Sequence, residues 1–415
     1  MTKDLKYGRG SVNIEFPDKN LLATLMPNDV EVELVGEEEV KRSLEKPIGS
    51  QKLSVLAQGK HNVVIITSDI TRPVPSYKIL PAVIDELNKA GVKDSEITVV
   101  LALGSHRGHT EEEKKHLVGE GIFARVRCID HDPSDCVSMG VTAAGTPVDI
   151  FRVVAEADFK ICMGNIEFHY FAGYSGGAKA IMPGVSTRDA IQSNHRMMVR
   201  HEACAGNLDG NPIREDIEEA GRIVGIDFIV NVVLDAKKEI IKCVSGDSVV
   251  AHRAGCAFLD TLYKCYIPER ADIVVVSAGG FPKDMNMYQA QKALDNAKHA
   301  VRDGGTIIWL AECTEGLGEH TFEEWMLGHE KSSDMIEHLH REFKLGGHKA
   351  AAIALVLEKA NIVLVSCYDD EFVRSVHLTP AHSAQEALDE ALAKYGSDAS
   401  IILMPYGGST LPSVK

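Results

Sequence analysis

Apolar strand segments alternate with helical segments through most of the chain, and this alternation is the feature that most limits its fold. Segment 61–69 (HNVVIITSD) is typical of a buried strand, and segment 76–91 has helical spacing with a glycine at its end. Strand 97–106 (ITVVLALGSH) and a helix capped by Thr110 repeat the pattern. Because such alternation forms parallel sheets covered by helices on both faces, the sequence predicts an α/β fold with mainly parallel sheets.

The alternation stops and restarts once, which predicts two domains. A chain of 415 residues is also too long for one typical core. The polar segment 267–272 separates the two series of strands and helices. We therefore predict an N-terminal α/β domain, 1–266, a C-terminal α/β domain, 272–400, and a C-terminal strand and tail, 401–415. Ligands of such folds bind at strand carboxyl ends, so we expect the active site in the interdomain cleft.

Charge and cysteine content limit the classes of partner. The net charge of −16 and the pI of about 5.5 argue against nucleic acid or an anionic membrane as the main partner. The N-terminal segment lacks the apolar core of a signal peptide, and no apolar run approaches the roughly 18 residues of a membrane span. The nine cysteines include no C-x-x-C pair, which favours reduced thiols. These observations predict a cytoplasmic protein.

Three polar loops follow predicted strands: SDITRPVPS, GSHRGHT and GGFPKDMNMYQAQK. In the first, Arg72 could bind a carboxylate through two hydrogen bonds, or it could form a salt bridge that stabilises the loop. In the second, His106 is a candidate general base. In the third, Gln289 and Lys292 share one helix face, which could bind a ligand or simply face solvent.

The segment NIEFHYFAGYSGGAKAIMPG, residues 165–184, combines glycines, aromatic rings, a histidine and a lysine. Ser175 has the G-x-S-x-G spacing of a nucleophile elbow, but the long helix that this motif requires is interrupted by Pro183. The P-loop and G-x-G-x-x-G patterns are absent. A small-residue turn remains, whose backbone N–H groups could hold a phosphate. Lys179 follows among apolar residues, so its amine could be neutral and nucleophilic, or it could be a surface charge.

The sequence contains no histidine and carboxylate motif with the spacing of a metal site. His195 stands alone, and His201 is six residues further on, which is not the same helix face. A single protein ligand of this kind could hold a metal only if a cofactor supplied the others.

Taken together, SDITRPVPS, GSHRGHT, FHYFAGYSGGAKAIMPG, NHRMM and YQAQKAL resemble the nickel-pincer-nucleotide-dependent lactate racemase family. The resemblance extends in the same order from about residue 10 to about residue 410. It implies two α/β domains with a cofactor between them. The cofactor of that family is a pyridinium-3-thioamide-5-thiocarboxylic acid mononucleotide, which is joined to a lysine and holds nickel through sulfur, carbon and sulfur.

The resemblance assigns the central chemistry to four residues. Lys179 matches the lysine that forms the covalent link to the cofactor. His195 matches the nickel ligand, and a square-planar nickel site suits three cofactor donors plus one imidazole. His106 and His169 match the two acid/base histidines.

The resemblance also implies two sets of binding residues. The first set contacts substrate: Arg72, Gln289 and Lys292 hold its carboxylate or carbonyl, and Tyr288 and Phe171 lie near its side chain. The second set contacts the cofactor and contains Asp69, Thr71, Ser175, Gly176 and Gly177.

The function implied by the resemblance is racemisation or epimerisation at C2 of a lactate-like 2-hydroxy acid, by hydride transfer to the pyridinium ring through a 2-keto acid. Its partners would be this small substrate and the proteins that make and insert the cofactor. An epimerase of a larger hydroxy acid or a sugar acid, using the same cofactor, is one alternative. A serine hydrolase that uses Ser175 and a non-catalytic metabolite-binding protein are alternatives of other classes.

Overall fold

The computed structural model describes residues 1–235 and 237–415, which divide into two compact units. We call Val30–Asp260 the central unit. The terminal unit consists of Met1–Asp29 together with Thr261–Lys415. The division after Asp260 lies close to the predicted boundary at 267–272. The first 29 residues, however, belong with the C-terminal part of the chain, whereas the sequence placed them in the N-terminal domain.

The strands, in chain order, are β1 (Thr2–Tyr7), β2 (Gly10–Glu15), β3 (Leu21–Thr24), β4 (Val63–Ser68), β5 (Ile97–Ala102), β6 (Arg127–Asp130), β7 (Cys136–Val141), β8 (Pro147–Phe151), β9 (Phe159–Asn165), β10 (Phe168–His169), β11 (Gly173–Tyr174), β12 (Phe228–Leu234), β13 (Ile240–Gly246), β14 (Lys264–Ile267), β15 (Ala271–Ser277), β16 (Val301–Leu310), β17 (Asn361–Val365), β18 (Thr379–Ala381), β19 (Ile401–Met404) and β20 (Leu411–Val414).

The α-helices follow in the same order: α1 (Gly36–Glu45), α2 (Leu53–Leu56), α3 (Ser76–Lys89), α4 (Glu111–Val118), α5 (Glu120–Phe123), α6 (Arg152–Ala155), α7 (Arg188–His195), α8 (Pro212–Val224), α9 (Val250–Tyr263), α10 (Met287–Ala297), α11 (His320–Gly328), α12 (Ser332–Arg341), α13 (Gly347–Leu357), α14 (Asp370–Ser375) and α15 (Ala384–Tyr395). Short 3-10 turns cover Asp18–Asn20, Asp94–Glu96, Gly177–Ala180 and Arg196–Val199. In the described part of the chain, no helix combines the length and the apolar character that a membrane span requires.

The central unit is built on a six-stranded sheet with the order β13-β12-β9-β4-β5-β6. Neighbouring strands are parallel except β13, which runs antiparallel to β12. The inner strands are apolar and buried along most of their length, as expected for a sheet covered on both faces. Strand side chains such as Ile65 and Val230 pack with helix side chains such as Ile79 and Val83 in one core.

Helix α8 shows how sequence signals fix the ends of an element in this unit. The Asn211 side chain accepts hydrogen bonds from the backbone N–H groups of Ile213 and Arg214, and Pro212 occupies the first helical position. Gly225 ends the helix in the left-handed conformation, with φ of 78°. Local sequence signals thus set both ends of the helix, at Pro212 and at Val224.

The terminal unit is built on a second six-stranded sheet, with the order β18-β17-β16-β15-β19-β3. All of its paired neighbours are parallel. The prediction of an α/β fold with mainly parallel sheets is therefore confirmed in both units.

The assignment of the first residues to the terminal unit has a simple structural cause. Strand β3 pairs with β19, so the N-terminal segment supplies the edge strand of the terminal sheet. Strands β1 and β2 form a hairpin, whose Leu5 and Ile14 are buried in the core of this unit. The predicted C-terminal segment, 401–415, contributes β19 to the interior of the sheet and β20 as the partner of β14.

Candidate active site

The predicted site residues of the central unit lie at one edge of its sheet. Strands β9, β4 and β5 are adjacent and parallel, so the segments that follow them leave the sheet at the same edge. Asp69 and Arg72 follow β4, and His106 follows β5. His169 and Lys179 follow β9. The sheet topology therefore groups these three segments of the central unit at one edge.

His106 and Asp69 form a hydrogen-bonded pair. The His106 Nδ1 atom lies 2.5 Å from Asp69 Oδ2, and Thr71 Oγ1 donates to Asp69 Oδ1 at 2.8 Å. Because Nδ1–H donates to a carboxylate, the lone pair of the neutral ring lies on Nε2, where it can accept a proton. The Asp69 side chain is 3 % exposed, whereas that of His106 is 29 % exposed. A buried carboxylate thus orients a histidine that remains accessible.

The balance of burial and hydrogen bonding determines the charge of Asp69. Desolvation raises the pKa of its carboxyl, but the hydrogen bonds from His106 and Thr71 outweigh this effect. The pKa of Asp69 therefore lies below its ordinary value, and the carboxylate is ionised at neutral pH. In the structure both Asp69 and Thr71 contact His106. Their contacts with the cofactor stay a prediction.

His169 lies on a small hairpin formed by β10 and β11, in which it is paired with Gly173. The backbone N–H of Ala172 donates to His169 Nδ1 at 3.3 Å, which places the hydrogen of the neutral ring on Nε2. The imidazole stacks on Tyr170 and meets the ring of Phe171 edge-on, at centroid distances of 5.4 and 4.4 Å. The Phe171 side chain is therefore in contact with His169, and its place beside the substrate stays a prediction.

The electrostatic environment of His169 disfavours its charged form. Desolvation lowers the pKa of the imidazole well below its ordinary value, and the charges of Lys179 and Arg72 lower it further. His169 is therefore neutral at neutral pH in the absence of a bound anion. An anionic substrate beside this group would reverse part of the effect, because a nearby negative charge favours the imidazolium.

Lys179 lies in the 3-10 turn Gly177–Ala180, with its Nζ 5.8 Å from the centroid of the Phe171 ring. Desolvation lowers the pKa of its amine well below the ordinary value of 10.5. The neighbouring guanidinium groups of Arg214 and Arg72 lower it further. A half-buried, uncharged amine is nucleophilic, which favours the predicted covalent role over a surface charge.

His195 ends helix α7 and is 8 % exposed. Its Nδ1 atom lies 2.9 Å from the Oδ1 atom of Asn194, so Nδ1 donates and the lone pair lies on Nε2. The Asn194 amide is itself held by donation to Asp216 Oδ2 at 2.7 Å. The Phe171 ring packs edge-on against His195 at a centroid distance of 4.8 Å. Among the described residues, no group of three or more His, Cys, Asp or Glu side chains could hold a metal ion.

The turn before Lys179 differs from the phosphate-binding turn that the sequence suggested. The backbone N–H of Ser175 donates to Glu167 O at 2.8 Å, and that of Gly177 donates to Asn231 Oδ1 at 2.7 Å. Gly173, Gly176 and Gly177 have positive φ, and a Cβ on Gly176 would lie 2.8 Å from the Asn231 side chain. The backbone N–H groups of Ser175 and Gly177 therefore already have acceptors within the protein. Contact of Ser175, Gly176 and Gly177 with the cofactor stays a prediction.

The same geometry bears on the serine-hydrolase alternative. The Ser175 hydroxyl donates to Asn165 O at 2.7 Å and accepts from the Glu167 N–H at 2.8 Å. The His252 ring contacts the carbonyl oxygen of Ser175 rather than its hydroxyl. A short 3-10 turn follows in place of the long helix of a nucleophile elbow. Ser175 is therefore arranged as a structural residue of the turn.

Tyr288, Gln289 and Lys292 lie in the terminal unit, in the first turns of α10. Gln289 and Lys292 are exposed, while Gln291 is buried on the opposite side of the helix. The helix follows β15, so these side chains lie beyond the carboxyl end of a central strand. The predicted shared face of Gln289 and Lys292 is confirmed, and their contacts with substrate remain a prediction.

Four residues that support the site were missed by the sequence analysis: Asn194, Arg214, Asn231 and His252. Asn194 holds His195, and the other three contact the turn before Lys179. Only Asn194 lies in a motif of the family resemblance. A buried arginine in a helix that also carries glutamates resembles an ordinary solvated helix face, so its sequence context held no signal.

Comparisons with known proteins match most of the chain. The family profile described as "Lactate racemase N-terminal domain" matches residues 7–206, and "Lactate racemase C-terminal domain" matches residues 267–411. A lactate racemase of Thermoanaerobacterium thermosaccharolyticum is 34 % identical and is aligned over 99 % of this chain and 99 % of its own length. A lactate racemase of Lactiplantibacillus plantarum is 34 % identical over 97 % of this chain and 98 % of its own.

Solved structures show the same similarity. The lactate racemase apoprotein of Thermoanaerobacterium thermosaccharolyticum superimposes with a TM-score of 0.88, at 34 % identity, over 100 % of both chains. A protein from Thermotoga maritima superimposes with a TM-score of 0.61, covering 92 % of this chain and 100 % of its own. At 19 % identity, the latter match concerns the fold alone.

We expect Asp69→Asn to lower the free energy of unfolding by about 1–3 kcal/mol near neutral pH, because it weakens a charge-assisted hydrogen bond to His106. The folded-state pKa of Asp69 is depressed, so its stabilisation is present above the unfolded value of about 3.8 and is lost as pH falls through the lower folded value. Urea unfolding at about pH 7, 5 and 3 would measure this difference. Asp85→Asn, at an exposed position of the same unit, is the control. A difference that grows towards low pH would contradict the expectation.

Proposed function

The chain belongs to the lactate racemase family, and on this premise we propose that it inverts the configuration at C2 of lactate or of another small 2-hydroxy acid. Family membership makes the protein a racemase, which is an isomerase. The observation that supports the proposed chemistry most directly is the pair of histidines, His106 and His169, held by separate loops at one edge of one sheet.

Inversion at C2 requires a proton acceptor or donor for the substrate oxygen on each of two faces. The His106 ring, oriented by Asp69, carries its lone pair on Nε2, whereas the His169 ring carries its hydrogen there. One histidine would accept the hydroxyl proton as C2 loses its hydrogen. The other, as its imidazolium, would give a proton to the oxygen when the hydrogen is restored on the opposite face. A bound substrate anion favours this charged form, and proton exchange with solvent would return both rings to their starting states.

A field of positive charge would hold an anionic substrate between these groups. Arg72 is exposed and lies near His169 and Lys179, whose pKa values it lowers. A guanidinium forms two parallel hydrogen bonds to a carboxylate, so we assign the substrate carboxylate to Arg72. We further propose that Gln289 and Lys292 contribute polar contacts and that Phe171 and Tyr288 lie beside the substrate side chain.

The residues present also fit the nickel-pincer nucleotide. Lys179 offers an amine whose lowered pKa suits covalent attachment, and His195 offers an Nε2 lone pair in a fixed orientation, as a metal ligand requires. When bound, this cofactor supplies an electron-poor pyridinium ring that can accept hydride. Other proteins of the host would make and insert it. The protein itself binds and orients the substrate, and its histidines move the proton of the substrate hydroxyl.

We expect His106→Ala and His169→Ala each to lower racemisation by roughly 100-fold or more, since each removes one acid/base group. Loaded enzyme would be assayed against a panel of chiral 2-hydroxy acids that includes lactate and sugar acids. His61→Ala, at a side chain that is 74 % exposed, is the matched control. Ser175→Ala tests the serine-hydrolase alternative, because this substitution would abolish hydrolase activity that depended on Ser175. Retained turnover in both histidine variants would exclude their proposed roles and favour a binding protein.

We expect the intact mass of protein made with the cofactor pathway to exceed the sequence mass, and Lys179→Ala to remove the excess. The physical reason is that the half-buried Lys179 amine is nucleophilic, as its lowered pKa indicates. Lys41→Ala, at an exposed lysine, should keep the added mass. Peptide mapping would locate the adduct, and an adduct on another residue would refute the assignment.

In heavy water, we expect the product of a single turnover to keep the original hydrogen at C2. Hydride held on carbon does not exchange with solvent, whereas a proton held by a histidine does. Mass spectrometry of the product would measure the label at C2. Deuterium at this position would favour removal of C2 hydrogen as a proton.

A further inference from the structure

Arg214 is a fully buried arginine in the first turn of helix α8. Burial of a guanidinium is costly unless its N–H groups find acceptors. Desolvation lowers the pKa of Arg214 to about 10, so the group keeps its charge at neutral pH. A charge held at this cost, close to two predicted site residues, calls for a role that a neutral side chain could not fill.

The acceptors of Arg214 all belong to the short segment between His169 and Lys179. Its Nε donates to the carbonyl oxygen of Ala172 at 3.2 Å, its Nη2 donates to that of Tyr174, and its Nη1 lies 3.5 Å from that of Gly176. One planar group thus binds three alternate carbonyls. The fork of a guanidinium can span such a set, whereas a lysine ammonium presents its donors at a single point.

Neighbouring donors occupy the carbonyls that alternate with those three, from Phe171 to Ser175. Asn211 donates to Phe171 O at 2.9 Å, the Gly206 N–H donates to Gly173 O at 3.0 Å, and His252 Nε2 donates to Ser175 O at 2.8 Å. Desolvation lowers the pKa of His252 to about 3, so this ring is neutral and Arg214 is the charged member of the set. Every carbonyl from Phe171 to Gly176 therefore has a donor.

We propose that Arg214 is a positioning residue, whose guanidinium holds the segment between His169 and Lys179 in the conformation that presents both side chains to one site. This inference rests on the proposed function, because it concerns the delivery of the proposed base and the proposed covalent anchor. It adds a residue that lies outside every motif of the family resemblance.

Two further observations agree with this role. The segment contains three glycines with positive φ, a conformation that needs external support to persist. Gly221, on the same helix as Arg214, packs so closely on the turn that an added Cβ would lie 2.7 Å from the Ala178 Cβ. Helix α8 thus contacts the segment both through a charge and through close packing next to Lys179.

The test measures the reactivity of Lys179 in full-length protein made without the cofactor pathway. Reductive methylation with formaldehyde uses a probe small enough to reach a half-buried amine, and peptide mass spectrometry reports the rate at each lysine. In the wild type, we expect Lys179 to react faster near neutral pH than exposed lysines, because a neutral amine is the reactive form. A slow wild-type Lys179 would count against the proposed covalent role.

Arg214→Met and Arg214→Lys distinguish positioning from charge alone. We expect both substitutions to lower the methylation rate of Lys179, relative to the other lysines, by about tenfold or more. A rise of one unit in the pKa of the amine, or a displaced Lys179 side chain, would produce a decrease of this size. Arg222→Met, at an exposed arginine in the last turn of the same helix, should leave the ratio unchanged. If Arg214→Met does not fold, Arg214→Lys decides the outcome alone.

Two results would overturn the proposal. If the methylation rate of Lys179 relative to the other lysines were the same in Arg214→Lys as in the wild type, a positive charge at position 214 would be sufficient for Lys179 reactivity. The contact with three carbonyls would then not be needed. A lower melting temperature with an unchanged Lys179 ratio in both variants would reduce Arg214 to a stabilising residue. Neither measurement uses racemase activity, so failure of the proposed function and failure of this inference are distinguishable.

Discussion

The parallel pairing of β9, β4 and β5 is the constraint on which the candidate site depends. Parallel strands end at the same edge of a sheet, so three segments that are distant in sequence emerge side by side. No single segment holds both histidines, and a lysine and a histidine ten residues apart could not by themselves form a two-sided site. Because β9 lies beside β4 and not at the sheet edge, the segment that carries His169 and Lys179 leaves the sheet next to Asp69.

The basic side chains at this edge of the sheet contrast with the negative net charge of the whole protein. The chain has a net charge of −16, yet Arg72, Lys179 and Arg214 lie close enough together to shift one another or His169. Desolvation and the charges of Arg214 and Arg72 make the uncharged amine the favoured state of Lys179. The same two guanidinium groups would attract an anionic ligand. Substrate attraction and amine reactivity thus depend on the same two arginines.

The sequence predicts much of this structure, for identifiable reasons. Strong apolar runs such as 61–69 marked the inner strands, and turns after them placed Arg72 and His106 near the site. The N-terminal strand β3 was assigned to the other domain, because its pairing with β19 is a contact between opposite ends of the chain. The role of Arg214 could not be predicted from the sequence, because it depends on backbone carbonyl groups about forty residues away. Every residue type has such a carbonyl group, so the sequence does not mark these contacts.

The pairing of β3 with β19 also orders events during synthesis. The edge strand β3 of the terminal sheet is synthesised before the central unit, whereas its partner β19 is synthesised after the central unit. The central unit, by contrast, is continuous in sequence and complete by Asp260. Because domains fold as units during synthesis, the central unit can form its core while the N-terminal segment still lacks its sheet. In sequence, the central unit is therefore inserted into the terminal unit. The unit that carries the candidate histidines and lysine can fold before the terminal unit is complete.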